Sequence, residues 1–98
     1  YLHTNCSSCH RPDGPALGDL DLRRSTALAD TGLCGPATQG DLGLPDARIV
    51  TPGDPSASVL ALRLSDPGAY RMPPIATQVV DAAGVALIDD WITDLTCP

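Results

Sequence analysis

Apolar residues thicken into helical spacing twice along this chain, both times in its second half. "PGDPSASVLALRLSD" reads as a helix, with Asp54 as N-cap, Pro55 at the first helical position and Val59, Leu60, Leu62 and Leu64 as its apolar content. Ser65, Asp66, Pro67 and Gly68 mark its end. "VDAAGVALIDDWITDL" reads as the longest helix: Asp81 caps it, and Val85, Ile88, Trp91, Ile92 and Leu95 recur at three and four residues, a stripe that must face the core. Nearer the start, Leu2 through His10 can form one or two helical turns. From Arg11 to Pro52 the chain is loop-rich, with a short helix around Ser25 to Ala29. No internal repeat or low-complexity tract interrupts this order.

Composition narrows the picture. The chain has 98 residues, 43% hydrophobic but only 3% aromatic and without Phe, so one domain is expected, with a thin core of Leu, Val, Ile and Ala. Ten Pro and nine Gly punctuate it too often for long elements, so short helices and ordered loops follow. At this size apolar burial alone is near its lower limit, and a cross-link or a large buried prosthetic group is a natural supplement.

Net charge is −6, made of twelve Asp and six Arg with no Glu and no Lys. Such a surface repels phosphate, which disfavours nucleic acid and anionic membranes and favours basic or neutral partners; solubility alone is the plainer explanation. No apolar run approaches the roughly 20 residues of a membrane span. Without a signal peptide, and beginning at Tyr1 rather than Met, the chain reads as a processed or excised segment, compatible with one domain of something longer.

The densest chemistry lies in "NCSSCHRPDG", where Cys6, Cys9 and His10 fall within five residues. C-x-x-C-H is the attachment signature of haem c. Two residues between the cysteines on a helical turn let both thiols meet the vinyl groups of one porphyrin, while the histidine directs its imidazole at the iron. A thioredoxin-like redox site would need a βαβ setting that the sequence lacks. A zinc site would want a second close pair, whereas Cys34 and Cys97 stand far apart. A Cys6–Cys9 disulfide would be strained and leave His10 unexplained.

An iron with one axial histidine needs a sixth ligand, and Met72 in "AYRMPPIA" is the only methionine. A lone Met is usually core filler. This one sits in a Pro-rich loop between two helices, where Pro73 and Pro74 stiffen the backbone and favour a fixed loop presenting a thioether. His3 is the rival, but it shares the short segment of the proximal ligand. A solvent-facing role is its default, with a neighbouring domain's haem as the alternative. Trp91 either packs in the core or borders the haem.

If the chain resides where haem c is attached, outside the cytoplasm, Cys34 and Cys97 can form a disulfide. Closing a loop of about sixty residues would constrain the unfolded chain by about 4 kcal/mol on chain entropy alone. Two buried free thiols are the alternative.

With "CSSCH", "PGDPSASVLALRL", "YRMPP" and a closing "GVALIDDWI" in order, the chain resembles a bacterial class I-type (mono-haem) cytochrome c domain. More narrowly it resembles the haem domain near the C-terminus of larger secreted or periplasmic bacterial cytochromes. The resemblance spans nearly the whole chain, and its motifs are specific in combination. It implies an all-α fold of short helices and long loops around one covalent haem, with electron transfer as the activity. By that pattern Cys6 and Cys9 form the thioethers, His10 is the proximal and Met72 the distal iron ligand, and a carbonyl from Pro12 or Pro15 orients His10. The Cys34 loop and the abbreviated first helix depart from the simplest members.

Arg48 and Arg71 are the candidate partners of the haem propionates, Arg71 because it adjoins Met72; solvated surface arginines are the alternative. The expected role is an electron carrier rather than an enzyme, periplasmic or extracellular, working with redox protein partners or flanking domains. Two other classes compete. One is a haem enzyme or ligand sensor of peroxidase type whose Met72 dissociates, although no distal acid–base pair is evident. The other is a non-haem module built on zinc or a disulfide.

Overall fold

In the computed structural model, which describes residues 1–74 and 79–98, the turn "TPGD" shows how the loops acquire their shape. Asp54 N donates to Thr51 O at 3.0 Å across Pro52 and Gly53, and Gly53 has φ +80°, so Pro and Gly occupy the two central positions that such a turn demands. The turn also closes a helix elsewhere: Gly53 N donates to Ile92 O at 2.9 Å, near the end of the last helix.

Among the described residues three α-helices form: α1 (Leu2–Cys6), α2 (Val59–Ser65) and α3 (Ala82–Asp94). Short 3-10 turns cover Leu28–Asp30 and Pro55–Ala57. No strand occurs among the described residues, only isolated bridges of Arg48 with Pro36 and with Ser58, so the chain is all-α. No helix among those residues is long and apolar enough to cross a membrane.

The helix expected to run on from Asp54 is divided. Asp54 caps only the 3-10 turn, its carboxylate accepting from Ala57 N at 3.2 Å, and α2 starts after Ser58, whose backbone is extended (φ −105°, ψ 117°). The cause is the Ser58 hydroxyl. It is fully buried, accepts from Thr51 N at 2.8 Å and donates to Asp54 O at 2.8 Å, which fixes the residue out of helical geometry. Its extended backbone lets Val59 N and Leu60 N reach Arg48 O and Ile49 O at 3.1 and 3.0 Å. Main-chain carbonyls thus satisfy helix-start donors that a capping side chain otherwise serves.

Around Ser25 to Ala29 a helix does not form, and the 3-10 turn at Leu28–Asp30 stands in its place. Asp21 competes for the segment: it accepts from Arg23 N, from both sides of the Arg23 guanidinium at 2.9 and 2.7 Å, and from Thr26 Oγ1 at 2.9 Å. α3 follows its pattern. Asp81 accepts from Gly84 N at 3.0 Å, and Ile88 and Ile92 are buried with Trp91 and Leu95 packed beside them.

One cluster forms the core: Leu22, Leu33 and Val50 from the loop-rich segment, Ala61 from α2, and Ile88 and Ile92 from α3. Half of it therefore comes from residues with no helical periodicity. Such loops must be held, and the Cys34–Cys97 disulfide, with 63 residues of separation, ties the middle loop to the C-terminus.

Replacing both cysteines, Cys34→Ser with Cys97→Ser, should lower unfolding free energy by about 2–4 kcal/mol, read as a lower urea midpoint with an equal or steeper slope, because the released unfolded chain expands. A midpoint equal to the parent's would mean the bridge constrains little.

Candidate functional site

The two cysteines of the C-x-x-C-H stretch lie where α1 runs out. After Cys6 the chain tightens instead of extending the helix: Cys9 N and His10 N both turn back to Cys6 O, at 3.2 and 2.9 Å. Ser7, one of the few buried polar residues, donates its hydroxyl to His3 O at 2.6 Å and locks the turn onto α1. The i to i−4 bond places His10 over Cys6 on one side of the turn.

The following loop folds back on the motif. Ala16 N donates to Cys9 O at 3.3 Å and Leu22 N to His10 O at 2.9 Å, so a buried core residue holds the histidine's main chain. Gly14 makes this possible, since a Cβ there would strike Cys9 O and stand 3.0 Å from Arg11 O. Pro12 and Pro15 are both exposed. His3 is exposed too, and its Nδ1 accepts from Arg24 N at 3.0 Å, tying this loop to α1.

Cys6 and Cys9 are free thiols, Cys6 half-buried and Cys9 exposed. Burial, first of all, pushes the Cys6 thiol up, and burial pulls the His10 imidazole down, toward the neutral form with a lone pair to give.

A cleft of about 260 Å³ opens beside the motif, lined by Cys6 and, from the loop after α2, by Arg71, Met72 and Pro73; Leu64 and Val80 add apolar wall. Residues 66 positions apart in sequence, Cys6 and Met72, thus share one cavity. Cys9, His10 and Arg48 are not part of that lining. Arg48 lies instead in the bridged segment, with Nη1 donating to Cys34 O at 3.4 Å. Trp91 packs against the core and lines a separate groove with Leu87 of α3 and Leu95 just after it.

Asp66 shapes the loop carrying Met72. Its carboxylate accepts from Gly68 N at 2.8 Å and from Tyr70 N at 3.0 Å, wrapping "DPGAY" around one side chain. Arg71 Nη1 donates to Gly68 O at 3.0 Å, whereas Arg71 Nε is buried and has no partner among the described residues. A buried guanidinium nitrogen without a partner, on a residue that also lines the cleft, is an unmet demand for an acceptor.

Tyr1 forms another wall. Its hydroxyl donates to Asp81 at 2.9 Å, over the start of α3, and Gly84 leaves the room: a Cβ there would strike the Tyr1 hydroxyl and stand 2.6 Å from the Asp81 carboxylate. Burial, then the Asp81 bond and charge, push the Tyr1 phenol up to about 12, while the Gly84 amide and Tyr1 hydroxyl hold the Asp81 carboxyl down.

The close approach at Gly14 and the packing role of Tyr1 carry no signal of their own in the sequence, and Asp66 reads there only as a helix stop. The Asp-Pro-Gly and Pro-Asp-Gly steps carried a turn signal, but nothing local marks Tyr1, whose partner is 80 positions away. Among the described residues no group of three or more His, Cys, Asp or Glu side chains is placed to hold a metal ion. The chain matches no protein-family profile, no curated protein and no solved structure with which it was compared.

Because the folded Tyr1 phenol is raised above its ordinary value of 10, its docking contributes fully below pH 10 and is lost as pH rises through about 12. In Tyr70→Phe the remaining phenol should therefore titrate near 12 by phenolate absorbance. Adding Gly84→Ala should return it toward 10.

Proposed function

We propose that this chain is an electron-transfer domain carrying one haem c, attached through Cys6 and Cys9 and ligated by His10 and Met72. The observation that carries the proposal is the cleft shared by Cys6 of the C-x-x-C-H turn and by the only methionine. The chain's own residues fit such a group: two free thiols, an imidazole that burial keeps neutral, a thioether, apolar walls and an unpartnered guanidinium nitrogen. When bound, the haem supplies an iron that takes up and releases one electron.

Each residue has a part. Cys6 and Cys9 anchor the group covalently, so its orientation does not depend on a deep pocket. His10 gives its lone pair, held by the main-chain bonds on both sides of it. Met72 offers a thioether, a ligand that favours the reduced iron and raises the potential relative to a second imidazole. Leu64 and Val80 exclude water, which works in the same direction by disfavouring the extra charge of the oxidised state. Of the two arginines considered for the propionates, Arg71 lines the cleft and has an unpartnered nitrogen, whereas Arg48 is engaged beside the disulfide.

Attachment of haem c and a Cys34–Cys97 disulfide both belong to an oxidising compartment, which supports a periplasmic or extracellular setting. The acidic surface suits a basic or neutral redox partner or flanking domain.

The Met72→Ala variant, matured beside the parent, tests the reading. The parent should show the near-infrared sulfur-to-iron charge-transfer band and resist carbon monoxide; the variant should lose the band and bind carbon monoxide readily. An unchanged spectrum would move the sixth ligand elsewhere.

A further inference from the structure

Arg63, in the last turn of α2, makes contacts that the helix does not require. Its Nη1 donates to Tyr70 O at 3.1 Å and its Nη2 to Gln39 O at 3.1 Å, while its own carbonyl accepts from Met72 N at 3.1 Å. One residue thus holds the Met72 loop twice, by side chain two residues before Met72 and by main chain at Met72 itself. The second arm of the guanidinium reaches a different part of the molecule. Gly40 sits against it, in a conformation with φ +110°, and a Cβ there would come within 2.9 Å of Nη2.

The loop bearing Gln39 is firmly based. Ala37 N donates to Ala47 O at 2.9 Å, Ile49 N to Gly35 O at 3.1 Å, and Cys34 is joined to Cys97. It accordingly offers a fixed point rather than a moving one. A planar guanidinium can bond two acceptors in different directions at once, which a lysine ammonium on a flexible stem does less rigidly.

We propose that Arg63 is the positioning residue of Met72, bracing its loop against the segment 35–47, so that this disulfide-tied loop serves to keep the thioether in place. The inference rests on the haem reading above for its consequence, though the brace itself belongs to the polypeptide. Two hydrogen bonds from a charged donor restrain the loop, and their loss should raise the frequency of its opening by at least about tenfold.

The test compares the parent with Arg63→Gln, Arg63→Lys and Gln39→Ala in the matured protein. Arg63→Gln should retain haem content and helicity, yet lose the charge-transfer band at a lower pH and bind carbon monoxide at least about tenfold faster. Arg63→Lys should fall between it and the parent. Gln39→Ala should match the parent, because the acceptor is a main-chain oxygen. If Arg63→Gln does not fold, the Arg63→Lys comparison decides alone. Parent-like band and carbon monoxide kinetics in the Arg63 variants would overturn the brace. A parent without haem would instead sink the haem reading, and the brace would then be judged by amide exchange at Met72: faster in Arg63→Gln if the brace exists, unchanged if it does not.

Discussion

The start of α2 is closed by main chain, and the rest of the molecule is built outward from that junction. Ser58, buried and extended, turns the Val59 and Leu60 amides onto the carbonyls of Arg48 and Ile49. That bond pair fixes the irregular segment 48–51, brings Val50 into full burial and sets the direction of α2. At the far end of the same short helix, Arg63 and Asp66 organise the loop that carries Met72. A change at Ser58 would therefore be felt twice: directly in the core, and through α2 at the cleft.

The core explains why so many loops are ordered. With few aromatic residues and short helices, the chain draws Leu22, Leu33 and Val50 out of turns to complete a cluster that α2 and α3 alone could not fill. Those residues stay in place because Leu22 N donates to His10 O, Leu33 N to Thr31 Oγ1 and Val50 N to Leu33 O, with the Cys34–Cys97 bridge beside them, rather than by helical periodicity. A flat apolar group bound between α1 and the Met72 loop would extend the same cluster, since Cys6, Leu60 and Leu64 already pack at its margin.

How much was legible in the sequence follows from the range of each interaction. α3 could be read residue by residue, because its cap, its stripe and its partners repeat at three and four positions. The turn through Cys6, Cys9 and His10 was legible because it is local, closed by bonds to Cys6 O. The break at Ser58 was not: serine is unremarkable at a helix start, and only the amide of Thr51 and the carbonyl of Asp54, fixed by a turn, make it decisive. Arg71 had its place beside Met72 to recommend it, but nothing in the sequence shows where Arg48 goes; the bridges that carry it toward Cys34 are contacts between segments, invisible to spacing. Tyr1 over Gly84 is the extreme case of the same limit.

The most direct measurement is the intact mass of the chain, expressed in a host with cytochrome c maturation machinery, then denatured and treated with a thiol-alkylating reagent. One haem should remain on the polypeptide through denaturation, with Cys6 and Cys9 refractory to the reagent. A colourless chain of its bare mass, taking up alkyl groups at both positions, would contradict the proposed function outright.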